Sequence, residues 1–364
     1  MTQFQIRKDE FTRQRLVEEP IQSNDKPLNP GEIRVDIVRF ALTANNITYA
    51  AMGDMLGYWQ FFPPVGNDSE GWGVIPVWGF AQVSETSVDD VAVGDRIYGY
   101  FPPAKQLTMV PVKVTGERFI DGSEHRSQLP PGYNIYRRIG SDSVQDTQSD
   151  NERMLLSPLF ITSYCLWDSL QDKQWFGAEQ IVVVSASSKT SIGLAYALHD
   201  DPEAPASIGV TSTRNRELVD SLGLYDTNIS YDELSEIDAN RPTVIVDMSG
   251  NSDVLGALHS HLGDNMKHCV NVGLTHWEEG GANEGIIAER SEFFFAPGHI
   301  QKRVKEWGPR AFEEKTSAFI EETAVKSRSW LKLQTVVGLE NLPEVYADVC
   351  EGRVAPDEGM IVEL

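Results

Sequence analysis

Between Ile181 and Gly193 the chain reads Ile181-Val182-Val183-Val184-Ser185-Ala186-Ser187-Ser188-Lys189-Thr190-Ser191-Ile192-Gly193, a β-branched run followed by a hydroxyl-rich turn. A buried strand that hands over to a helix through a tight turn is a phosphate site in waiting. The helix start offers unpaired N–H groups and the positive end of its dipole. Most of the glycines that usually let backbone approach a pyrophosphate are missing. Gly193 remains, at the position where helix and sheet pack closely. The hydroxyls of Ser187, Ser188, Thr190 and Ser191 and the ammonium of Lys189 are then the candidate phosphate donors. The same hydroxyls could equally do no more than cap a helix. After the next strand, Thr211-Ser212-Thr213-Arg214-Asn215-Arg216 offers no carboxylate for a ribose 2′-hydroxyl and two guanidinium groups suited to a 2′-phosphate. Ser212, Arg214 and Arg216 are therefore candidate contacts to NADP(H). The alternative is that both arginines lie on an exposed helical turn, paired with Glu217 or Asp220.

The surrounding pattern says what must hold these residues. From about Pro158, strands at Ile181–Val184, Ile208–Thr211, Thr243–Asp247 and His268–Gly273 alternate with helices at Phe160–Leu170, Leu194–Leu198, Arg216–Leu222 and Asp253–Leu262. That alternation predicts right-handed βαβ units and a Rossmann-like, doubly wound parallel sheet in an α/β chain. The first part reads differently. Gly31–Phe40 alternates apolar and polar residues, and Trp78–Val83 and Val91–Tyr100 follow with frequent Gly and Pro turns, as in a small barrel. Residues 116–153, polar and carrying Pro130-Pro131-Gly132 and an acidic run, read as a long surface loop or insertion.

The 364 residues suffice for about two domains. With 31 Lys plus Arg against 54 Asp plus Glu the net charge is −23, which argues against nucleic acid or an anionic membrane as partner. Cys165, Cys269 and Cys350 form no Cys-x-x-Cys pair, so a four-thiolate zinc lobe and a disulfide framework are not expected. No leader-like or membrane-spanning apolar run is read, and the expectation is a cytoplasmic protein.

Five features in order resemble the medium-chain dehydrogenase/reductase superfamily, particularly its zinc-free quinone and enoyl reductases. They are Gly31–Phe40 with Asn45-Asn46-Ile47, Val93-Gly94-Asp95-Arg96-Ile97, Ser157–Tyr164, Gly177–Gly193, and the closing Leu342–Arg353. The resemblance implies a GroES-like β-barrel domain over 1–156 and 326–364, with the 116–153 insertion, and a Rossmann-like nucleotide-binding domain over 157–325. Where zinc members carry Gly-His-Glu, this chain has Val77-Trp78-Gly79-Phe80, so no catalytic zinc is expected. Phe293–Gly308 is a feature of a poorly characterised branch.

The resemblance also implies roles. Tyr58 falls near the catalytic Tyr of related enoyl reductases and is the candidate proton donor or oxyanion stabiliser. Asn46 would orient the substrate, and Tyr164 lies at the domain junction. Gly273 and Leu274 would contact the nicotinamide. The aromatic group Tyr58, Trp59, Phe61, Phe62, Trp72 and Trp78 would line a cleft for a small apolar substrate, or form core. His299 is assigned to helix capping, and Cys165 to a buried structural thiol. A homodimer is expected by analogy. The expected function is NADP(H)-dependent, zinc-independent reduction of an apolar enone, quinone or carbonyl compound. The alternative is a non-catalytic or cofactor-free relic of the fold that binds a hydrophobic ligand or a partner protein.

Overall fold

The computed structural model describes residues 2–18, 27–140, 146–272 and 285–364. Two units divide the chain: Met1–Leu155 with Leu331–Leu364, and Leu156–Trp330. The first unit begins with the antiparallel pair β1 (Thr2–Arg7) and β2 (Gln14–Glu18). The alternating segment becomes β3 (Ile33–Leu42), followed by helix α1 (Ala44–Ala51), where Thr43 and Asn46 form a capping box. Strands β4 (Trp72–Gly73), β5 (Val77–Thr86), β6 (Arg96–Phe101), β7 (Gln106–Met109), β8 (Pro111–Val112), β9 (Arg118–Asp121) and β10 (Ile135–Ile139) follow.

Residues 116–140 are not the surface loop that their polarity suggests. β10 pairs with both β6 and β9, and Phe119 and Tyr136 are fully buried. The polar residues are themselves the glue. Asp121 and Arg126 form an ion pair buried on both sides, Arg138 reaches Asp95 at 2.7 Å, and the Tyr136 hydroxyl donates to the Tyr100 carbonyl. A buried charge is tolerated only when it is paired in this way. The acidic run after it, from Thr147 on, opens a helix.

Helix α2 (Thr147–Asp172) starts well before the apolar pattern at Phe160 and leads into the second unit. There the sequence alternates as read: β11 (Gln180–Val184), α3 (Lys189–His199), β12 (Ala206–Thr211), α4 (Arg216–Leu222), β13 (Thr227–Ser230), β14 (Thr243–Asp247), α5 (Ser252–Leu262), β15 (Met266–Asn271) and β16 (Ser291–Phe293). These strands form one parallel sheet in the order β13-β12-β11-β14-β15-β16. Val182, Val183 and Val184 are fully buried, as a central strand covered on both faces requires. Each contributes roughly 1.5–3 kcal/mol by leaving water. Helices α6 (Ala296–Trp307) and α7 (Pro309–Ser327) complete the unit. The chain then returns to the first unit as β17 (Lys332–Val337), α8 (Leu342–Cys350) and β18 (Glu358–Glu363). There β17, β18, β3, β5, β6, β10, β9 and β8 lie side by side, with β7 also paired to β3.

Candidate functional site

In the second unit the turn after β11 and the end of β12 come together. Ser185, at the point where a glycine would be expected, takes φ +63°, a left-handed backbone that non-glycine residues resist. The buried Ser187 hydroxyl is bonded by Thr211 Oγ1 and Asn215 Nδ2, both at 3.1 Å. Those two bonds fix its oxygen as an acceptor and leave its own proton to be donated. Ser188 is the N-cap of α3: its Oγ accepts from the Ser191 N–H at 3.2 Å and donates to the Ser191 hydroxyl at 2.8 Å. Ser191 is fully buried, and its hydroxyl and N–H are both taken up in that cap. Lys189 and Thr190 open the helix beside it.

Gly193 is where close packing was expected, but its partner is a helix and not the sheet. A Cβ there would lie 2.5 Å from Ser163 Oγ and 2.6 Å from Phe160 of α2. Ser163 in turn donates to the Thr190 carbonyl at 2.7 Å, so α2 holds the first turn of α3 in place.

The two arginines part company. Arg216 bonds Glu233 at 2.6 Å and the Asn228 carbonyl, with Asp220 at 3.9 Å, so its charge is paired with carboxylates at the surface of the unit. A 2′-phosphate at Arg216 would compete with the Glu233 carboxylate. Arg214 is exposed and has no ion pair among the described residues. Next to it, Ser212 Oγ is buried and without a hydrogen-bond partner among the described residues. Buried hydroxyls are ordinarily partnered, so this oxygen is an open position. Asp247, ending β14, accepts from the Ser249 N–H and hydroxyl and from the Gly250 N–H, which shapes the turn; burial pushes its carboxyl above the usual range. Gly273, Leu274 and His276 lie outside the described residues.

Tyr164 follows Ser163 on α2. Its ring packs on Trp167 and Phe319, and burial raises its phenol to about 12. One turn on, Asp168 accepts from both His299 (2.6 Å) and Arg303 (2.5 Å), which tie α6 to α2. His299 is thus a buried hydrogen-bond partner of Asp168 and not a helix cap. Burial pushes Asp168 up, and the bonds from His299 and Arg303 outweigh it and hold its carboxyl below the usual range. Cys165, fully buried, is pushed up to about 12 by burial, which leaves it an inert thiol.

In the first unit, Tyr58 sits on a short 3₁₀ turn after Gly57, whose φ of +76° makes the bend. Its hydroxyl lies 3.0 Å from that of Tyr133, and its ring packs on Tyr49 with centroids 4.6 Å apart. Tyr100 meets Tyr133 at 4.8 Å and Trp78 at 5.0 Å. Burial raises the phenols of Tyr49, Tyr58 and Tyr133, so all are neutral near pH 7. Tyr133 carries no signal in the sequence, because the polar residues around it read as a surface loop or insertion. Asn46 is buried in the capping box of α1: its Oδ1 accepts from the Thr43 N–H at 2.8 Å and its Nδ2 donates to the Pro76 carbonyl at 2.9 Å. Trp59, Phe61, Phe62 and Trp72 are core, each under a tenth exposed.

The pattern of one family covers residues 40–355. The chain belongs to the family described as protein of unknown function (DUF2855). No curated protein matches it. Among solved structures, CurA in complex with NADPH from Vibrio vulnificus is similar at 14% identity over 100% of this chain and 99% of that one, with a TM-score of 0.65. A mycobacterial protein complexed with NADPH matches at 12% identity over 100% of both chains, TM-score 0.60. An NADPH:quinone reductase, so described, from Bacillus thuringiensis matches at 14% over 100% and 98%, TM-score 0.58. This likeness shows the fold of the medium-chain dehydrogenase/reductases, with a GroES-like and a Rossmann-like unit.

That fold implies a dinucleotide, and the donor set of this DUF2855 chain fits one. The unpartnered Ser212 hydroxyl, Arg214 without an ion pair among the described residues, the Ser187 hydroxyl and the start of α3 line one end of the sheet. Among the described residues no three His, Cys, Asp or Glu side chains gather as a metal-holding group.

Proposed function

We propose that this chain is an NADP(H)-dependent, zinc-independent oxidoreductase that reduces an apolar enone, quinone or carbonyl compound. The observation that carries the reading is the pairing of a buried, unpartnered Ser212 hydroxyl with an exposed, unpaired Arg214 at the end of β12. A 2′-phosphate would satisfy the hydroxyl and neutralise the guanidinium, whereas a plain ribose hydroxyl would leave Arg214 without a partner. The NADPH in the Vibrio and mycobacterial structures supports the same choice.

When bound, the cofactor supplies the hydride. The chain's own residues do the rest. Ser187, Lys189 and Thr190 at the start of α3 hold the pyrophosphate, and Ser188 keeps that helix end capped. Tyr58, kept neutral by burial, donates its hydroxyl proton to the substrate oxygen as negative charge develops there. The substrate is apolar because the surroundings of Tyr58 are aromatic. The reading includes a homodimer.

The test is direct titration of the protein with NADPH. Saturable binding supports the reading. Absence of binding would favour the second reading, a cofactor-free relic, which rests on the missing loop glycines and on the internal bonding of Ser191.

A further inference from the structure

Ser185 holds a left-handed backbone at φ +63° with a side chain in place, and such a turn persists only where its surroundings over-determine it. Two restraints are backbone bonds. The Ala186 N–H donates to the Val210 carbonyl of β12 at 2.9 Å, and the Ser188 N–H closes the turn onto the Ser185 carbonyl at 2.9 Å. A third restraint comes from outside the loop. Tyr225, between α4 and β13, shares its hydroxyl proton between the Ala186 carbonyl at 3.3 Å and the Ser191 carbonyl at 3.2 Å. Those two carbonyls bracket Ser187, Ser188, Lys189 and Thr190, the stretch assigned to the pyrophosphate in the proposed reading. The ring has a berth of its own: a Cβ on Gly209 of β12 would lie 2.9 Å from it. Tyr225 is buried, and burial raises its phenol, so the hydroxyl remains a donor near neutral pH.

We propose that Tyr225 is the positioning residue that stands in for the missing loop glycines: its hydroxyl clamps the Ser185–Ser188 turn in the shape that receives a dinucleotide pyrophosphate. The proposal rests on the NADP(H) reading for its purpose, though its geometry does not. Glycine adopts left-handed backbone as readily as right-handed, which is one reason phosphate loops use it. Here the left-handed step falls on a serine, so the fold must supply from elsewhere what glycine supplies by itself. A loop ordered before binding loses less entropy when the ligand arrives, and the difference appears as affinity. The pyrophosphate is common to NADPH and NADH, so the clamp acts on both alike, unlike Arg214. With its proton held by two carbonyls, Tyr225 acts through the loop.

The experiment combines amide hydrogen exchange with calorimetric titration of the intact protein. Tyr225→Phe keeps the ring beside Gly209 and removes the hydroxyl alone. The clamp predicts that exchange of the Ser188 N–H rises by roughly tenfold in this variant while that of the β14 amides holds. It also predicts that NADPH and NADH both bind roughly three- to tenfold more weakly. Adding Ser185→Gly, which admits the left-handed angle freely, is expected to return both affinities to within about twofold of the parent protein. Tyr196→Phe on α3 loses the bond from Trp330 and is the packing control: its melting temperature falls while both affinities hold. A merely structural Tyr225 behaves as this control does. Unchanged affinities or unchanged Ser188 exchange in Tyr225→Phe therefore overturns the proposal, as does a loss confined to NADPH or one that Ser185→Gly leaves in place. A parent protein that binds neither nucleotide removes the reductase reading, and the exchange of Ser188 still decides the clamp.

Discussion

In the proposed reading, Arg214 with Ser212 carries the choice between NADPH and NADH. Two arginines two positions apart are interchangeable in the sequence, because nothing in Arg214-Asn215-Arg216 says which will find a carboxylate. Glu233, seventeen positions on, takes Arg216. Arg214→Ala is therefore expected to weaken NADPH binding roughly 10- to 100-fold, the weight of one charge-assisted pair, and to leave NADH binding alone. Arg216→Ala should leave both affinities close to the parent value and lower only thermal stability. Parallel titrations of the two variants check this, and equal loss of NADPH affinity in both would restore the arginine pair. The serines were legible as a group and not singly. Ser187, Ser188 and Ser191 share a residue type, but their burial and partners separate a donor, a cap and a core hydroxyl, and sequence spacing contains none of those contacts.

Elements buried on both faces were readable because one force dominates them. β11 and β14 are apolar, β-branched runs whose only stable home is the middle of a sheet, and α4 and β14 lie where the sequence places them. β9 and β10 were missed because their stability comes from paired charges and buried phenols, which polarity alone reports as loop. The α2–α3 contact makes a prediction of its own. Gly193→Ala inserts a methyl against Phe160 and Ser163 and should cost about 1–3 kcal/mol, measured by urea unfolding, because both neighbours are helix-borne and cannot give way freely. α5 makes another. His259 is buried, its Nδ1 accepts the Ile287 N–H at 2.9 Å, and burial lowers its pKa to about 4. The unfolded chain, with an ordinary imidazole near 6.5, binds the proton first as pH falls. Stability from this group is therefore complete above about pH 6.5 and declines between 6.5 and 4, by up to about 3 kcal/mol. His259→Gln, which keeps an acceptor for Ile287, should flatten that stretch of the stability curve, and an unchanged slope would count against the assignment.

For the whole molecule, the charge of −23 bears on how an anionic cofactor arrives. Long-range repulsion is screened beyond about 8 Å at physiological ionic strength, so a local cationic group can still capture a phosphate. The chain's two units each have a full set of elements and their own core, and no helix among the described residues is long and apolar enough to cross a membrane. In the proposed reading, what joins fold to function is occupancy of the second unit's β11–α3 turn and β12 end. The measurement that tests this most directly is calorimetric titration of the intact protein with NADPH and NADH side by side at physiological salt. The account predicts saturable, one-site binding of NADPH at least tenfold tighter than NADH, a difference of about 1.4 kcal/mol. Equal binding of the two would remove Arg214 and Ser212 from the 2′-phosphate, and binding of neither would contradict the oxidoreductase itself.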